Sequence, residues 1–114
     1  MIPGTVYALE RDGELLGHLT VTSSEMFAVH CDFTPTPAFA PYRALFDEDS
    51  ALAERMNGDD SPALMEEAEE VLERILALGL VLRREGGGVY RDALISIEGD
   101  RAGFRPLNPE EEPL

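Results

Sequence analysis

Hydrophobic and polar positions alternate through the first third of the chain, with the two-residue period of a strand that buries one face. Thr5-Val6-Tyr7-Ala8-Leu9-Glu10 is followed by Arg11-Asp12-Gly13-Glu14 and then by Leu15 to Thr22. Asp-Gly between two β-prone runs predicts a tight hairpin, because both central residues of a type I′ turn need positive φ. Thr22-Ser23-Ser24-Glu25 interrupts the pattern, after which Phe27, Val29, Cys31 and Phe33 alternate with Met26, Ala28, His30 and Asp32. A third strand is expected from Met26 to Phe33. With Ser23 to Glu25 as a three-residue loop, Val21 faces Phe27 and Leu19 faces Val29, so the apolar faces agree. That register sets His18 across from His30, with Tyr7 and Asp32 nearby on the same face.

The period changes after Phe33. Thr34-Pro35-Thr36-Pro37-Ala38-Phe39-Ala40-Pro41 carries three prolines, and proline lacks the N–H that a central strand needs, so the chain is expected to leave the sheet here. Tyr42 to Phe46 suits a short helical turn, and Asp49 or Ser50 can cap a second one that runs to about Met56 and stops at Asn57-Gly58 in the left-handed conformation. A longer helix is defined by Ser61 as N-cap, Pro62 at the first helical position and Gly79 as the stop. Its Leu64, Ala68, Val71, Leu72, Ile75 and Leu78 form one apolar stripe that must lie against the sheet.

Leu80 to Arg84 then reads as a short strand, Glu85-Gly86-Gly87-Gly88 as a connection and Val89 to Ile97 as one further strand. Glu98-Gly99-Asp100-Arg101 is a tight turn that returns through Ala102-Gly103-Phe104 to Arg105. The expected fold is α+β: an antiparallel sheet of five to six strands, three of them N-terminal and two to three following a helical insert, with a long amphipathic helix on one face. Residues 1–107 are expected to form a single domain and residues 108–114 a disordered acidic tail.

Composition sharpens this in one respect. A chain of 114 residues, 44% of them hydrophobic, can bury one core, but 23 acidic residues stand against nine basic ones, for a net charge of −14. Such a surface repels nucleic-acid backbones and anionic membranes, which argues against direct binding of either. The charge is also local: residues 47–73 hold eleven carboxylates and one arginine. On the long helix Glu66, Glu67, Glu69, Glu70 and Glu73 lie away from the apolar stripe. One reading is a solvated face that aids solubility. The functional reading is a docking surface for a basic protein, with Glu66, Glu67, Glu70 and Glu73 as the contacting residues.

The single cysteine, Cys31, permits no internal disulfide or cysteine cluster and fits a reducing, cytoplasmic setting. No secretory leader and no membrane span are expected, since the sequence shows no basic stretch followed by an apolar one at its start and no apolar run of bilayer length.

Candidate chemistry is sparse. His30 and Cys31 are strand neighbours and point to opposite faces, so they cannot form a nucleophile-base pair. His18, His30 and Asp32 are weak candidates for a metal site, because nothing in their local spacing marks them as ligands. Asp47-Glu48-Asp49-Ser50 lacks the glycine and the distal glutamate of a calcium loop. Gly86-Gly87-Gly88 precedes a strand, without the helix start that holds phosphates. No nucleophile elbow or metalloprotease motif is present, so no catalytic residue and no cofactor is assigned.

Phe39-Ala40-Pro41-Tyr42-Arg43 to Phe46-Asp47-Glu48, together with Ile97-Glu98-Gly99-Asp100-Arg101-Ala102-Gly103-Phe104-Arg105, resembles a group of small acidic bacterial proteins of unknown function. The likeness covers about a fifth of the chain. It carries over no functional residue. The residues therefore lead to two expectations. The first is a non-catalytic interaction domain, of inhibitor or immunity type, whose acidic helical face meets a basic partner. The alternative is a small ligand- or metal-binding domain using the sheet face around His18 and His30.

Overall fold

In this computed structural model, which describes residues 2–25, 28–59, 61–91 and 93–106, Asp12 and Gly13 take φ of 52° and 82°. These are the two left-handed positions of a type I′ turn, and they fold strand β1 (Val6–Arg11) back on β2 (Glu14–Glu25). The third strand, β3 (Ala28–Pro35), pairs with β2 in a different register from the expected one. Leu19 faces Phe33 and Val21 faces Cys31, while Ser23 to Glu25 are strand residues rather than a loop. The difference is four residues along β3. An even shift keeps every apolar side chain on the same face, so alternation alone cannot separate the two registers. A bulge between Val21 and Ser23 absorbs the extra residue, Thr22.

Strand β3 also runs two residues further than expected, through Thr34 and Pro35, because Pro35 stands at its end, where a missing N–H is tolerated. A 3-10 helix (Pro37–Tyr42) leads directly into α1 (Arg43–Met56). The two helical turns expected between Tyr42 and Met56 are thus one helix, with Asp49 and Ser50 inside it rather than capping it. Phe39 and Phe46 explain the continuity, since both are buried and their rings pack in series with Phe33, at centroid distances of 4.9 and 5.7 Å. Asn57 follows with φ −63°, right-handed where the left-handed conformation was expected.

Helix α2 (Pro62–Ala77) starts at Ser61, whose hydroxyl oxygen accepts from the Leu64 N–H at 3.4 Å, and Gly79 ends it with φ 68°. Its last turn receives a cation, because the Arg11 Nε–H donates to the Leu78 carbonyl at 3.0 Å. Leu64, Val71 and Ile75 are buried. The helix approaches the sheet mainly through α1, not directly as the apolar stripe suggested, and α1 in turn lies on β6 (Ala93–Glu98).

Seven strands form one antiparallel sheet in the order β5-β4-β1-β2-β3-β7-β6, with β4 (Val81–Arg84), β5 (Val89–Tyr90) and β7 (Arg101–Pro106) completing it. The excess over the expected five to six comes from Val89 to Ile97, where the one expected strand is two. Strand β5 pairs with β4 at one edge and β6 with β7 at the other, although only two residues of sequence separate them. A flat sheet could not satisfy that connection, so the sheet curls until its edges approach. Tyr90 of β5 and Tyr7 of β1 lie 5.8 and 5.2 Å from Phe104 of β7, across what would otherwise be the width of the sheet. The outer edge of β6, last in the strand order, is covered by α1, where the Ser50 hydroxyl donates to the Ile97 carbonyl at 3.0 Å. The expected acidic tail, residues 108–114, lies outside the described residues.

Candidate functional site

Helices α1 and α2 together carry nine carboxylates and three arginines. They run antiparallel, since Arg55 near the end of α1 reaches Glu67 near the start of α2 at 3.9 Å, and Arg74 near the end of α2 reaches Glu48 of α1 at 3.8 Å. Arg74 also holds Glu70 at 3.2 Å and so stands between carboxylates of both helices. Glu66, Glu67, Glu69, Glu70 and Glu73 are all exposed. The four glutamates expected to meet a partner therefore sit in water, on a helical layer shared with Asp47 and Glu48.

The histidines are not brought together. His18 pairs with Thr34 and His30 with Ser23, so four residues of β3, roughly 13 Å, separate their rows. Asp32 sits opposite Thr20, and Tyr7 is buried on the core side, not beside the histidines. The opposed pair depended on the register that the Thr22 bulge and the longer β2 displace. Among the described residues no group of three histidine, cysteine or carboxylate side chains could hold a metal ion. Cys31 is buried, and burial, followed by the neighbouring Asp32 charge, pushes its thiol up to about 12, so it is inert as a nucleophile at neutral pH.

What the register does assemble lies on the outer face of β3, β7 and β6. Gly103 pairs with His30 on one side and Ser96 on the other, and the strand alternation puts Arg101 and Arg105 on the same outer face of β7. A Cβ at Gly103 would come within 3.5 Å of the Ser96 hydroxyl oxygen, so the glycine keeps the centre of this face low. Helix α1 rises beside it and contributes Asp49 and Glu54, and the result is an open concavity of about 970 Å³. Among the described residues Arg101, Arg105, His30 and Asp49 make no side-chain hydrogen bond or ion pair. Burial raises the Asp49 carboxyl above its usual range, the expected response of a half-desolvated acid without a cation beside it.

Sequence reading missed this arrangement because Arg101 to Arg105 looked only like the return of a turn. The available signal was Arg-x-Gly-x-Arg at strand spacing, which sets two cations either side of a residue without a side chain. A smaller concavity of about 330 Å³ is lined by His18, Arg83 and the Gly86 to Gly88 loop, but Arg83 there is tied to Glu10 at 3.3 Å. No known protein family, no curated protein and no solved structure matches the chain.

Proposed function

We propose that the protein is a non-catalytic interaction domain, of inhibitor or immunity type, in which the acidic layer of α1 and α2 docks a basic partner protein in the cytoplasm. The observation that supports this reading is the antiparallel pairing of the helices, which merges two sets of carboxylates into one surface. Fields from carboxylates on a common layer add, so they steer a cationic surface into contact and raise its association rate. Among the described residues only Arg55 and Arg74 offset them on the side where the helices meet. No helix among the described residues is long and apolar enough to cross a membrane.

The test compares the parent protein with a variant carrying Glu66→Gln, Glu67→Gln, Glu70→Gln and Glu73→Gln, each immobilised and exposed to host extract. A basic protein retained at low salt by the parent, released at high salt and lost from the variant supports the reading, because exposed charge pairing is screened. Equal retention by both proteins, or no basic protein on either, removes it.

A further inference from the structure

The concavity above Gly103 has a basic floor and an acidic wall. Arg101, Arg105 and His30 form the floor, while Asp49 and Glu54 stand on α1 beyond β6. A simple anion entering it meets the carboxylates of the wall, and a simple cation meets two guanidinium groups. A molecule carrying both charges, oriented across β6, satisfies both sides. We propose that this concavity binds the carboxylate and distal cation of a basic amino acid, either free or as the carboxyl-terminal residue of a peptide.

Individual positions define the orientation. Arg101 shares its row with the carboxylates Asp32 and Glu98 of the neighbouring strands, although it forms no ion pair with either among the described residues. Arg105 is paired with Leu94 in its row, a side chain that offers it nothing polar, and is therefore the principal receptor for the carboxylate. A guanidinium presents two parallel N–H donors that match the two carboxylate oxygens. His30, across from Gly103, flanks the same space, and the glycine leaves room for the ligand to lie against the strand.

On the opposite side Asp49 is held at the rim by its neighbour Ser50, whose hydroxyl bond to Ile97 fixes α1 on β6. Its half-buried carboxylate has no cation beside it among the described residues, so an incoming guanidinium or ammonium gains a partner in a partly desolvated site. Strands β6 and β7 are one strand spacing apart, about 4.8 Å, and Leu94, in the row of Arg105, lies three residues from Ile97, where Ser50 fixes α1, about 10 Å along the strand. An extended arginine or lysine side chain bridges a span of that order, whereas an amino acid with a short neutral side chain does not. The volume also lies within the range of small-molecule sites.

Titration of the full-length protein, followed by backbone amide NMR, tests the assignment with arginine, Gly-Gly-Arg, agmatine and hexanoate as probes. Arginine or Gly-Gly-Arg is expected to give saturable shifts at Ser50, Ser96 and Gly103, and the tighter of the two identifies the free or peptide source. Agmatine, which lacks the carboxylate, and hexanoate, which lacks the cation, are expected to bind at least about tenfold more weakly, the loss of about 1.4 kcal/mol. Arg105→Gln and Asp49→Asn should each weaken arginine by a similar factor. Asp49→Asn should do so while raising stability at neutral pH, an outcome that unfolding cannot mimic. The proposal is overturned if agmatine or hexanoate binds as well as arginine, if either variant titrates like the parent, or if no probe saturates.

Discussion

Two aromatic clusters divide the core, and they are built on different scales. Phe33, Phe39 and Phe46 come from one stretch of fourteen residues and fasten the end of β3 to the 3-10 helix and α1. Tyr7, Tyr90 and Phe104 come from the two ends of the chain and hold together strands that occupy opposite parts of the sheet order. The first cluster requires little loop closure to form. The second holds the curl, and its contacts must overcome the entropy of bringing distant segments together. Side chains that meet inside the curl therefore help to hold its edges close.

The sharpest way to break this distinction is to remove one ring from each cluster. Phe46→Ala and Phe104→Ala should each cost about 3–5 kcal/mol, a large part of the stability of a domain of this size. Their footprints should differ. Hydrogen exchange in Phe104→Ala is expected to quicken first in β5 and β6, where the edges approach, with α1 still protected; in Phe46→Ala the helices should open first. Identical exchange patterns in the two variants would show a single cooperative cluster instead.

The same contrast explains how far the fold was legible in the sequence. Local devices were readable: Asp12-Gly13 turned the first hairpin, Ser61 and Gly79 bounded α2, and the alternation of Val29, Cys31 and Phe33 identified a buried face. Long-range choices were not. Nothing between Val89 and Ile97 signals that two edges of a curled sheet divide the segment, and the β2–β3 register was ambiguous to any even number of residues. The candidate concavity depends on the first of these, through the place of β6 and β7 in the sheet. Gly103 meets His30 and Ser96 only after β7 is inserted between β3 and β6, whereas the exposed glutamates of α2 follow from helical spacing alone.

Gly17 gives a smaller test, directed at the local cluster. A Cβ there would stand 2.6 Å from Phe33 Cε1 and 2.9 Å from the Thr34 carbonyl oxygen. The backbone oxygen cannot turn away, so Gly17→Ala should cost about 1–3 kcal/mol through overpacking, measured by urea denaturation. A neutral result would mean that the Phe33 ring and β3 yield easily, and that the cluster is less tightly packed than its rings suggest. Ser61→Ala should cost less, about 1 kcal/mol, because it removes the acceptor for the Leu64 N–H at an accessible helix end. The loss should be confined to α2 in hydrogen exchange.

Cys31 reports on the boundary between the clusters, because it sits on β3 between Val29, which pairs with Phe104, and Phe33. Burial first, and the Asp32 charge second, hold its thiol protonated up to about 12, above the ordinary value of 9.0. Between those values the unfolded chain releases a proton that the folded chain retains, so unfolding is favoured as pH rises. Stability should therefore fall more steeply above about pH 9 in the parent than in Cys31→Ala, even though the alanine variant starts lower for lack of the buried sulfur. Urea denaturation at pH 8 and pH 10 measures the two slopes, and parallel slopes would place the thiol in contact with water. Alkylation at pH 8 then connects this residue to the comparison of clusters: the parent should resist iodoacetamide, and whichever of Phe104→Ala and Phe46→Ala reacts faster identifies the cluster that shields β3 from solvent.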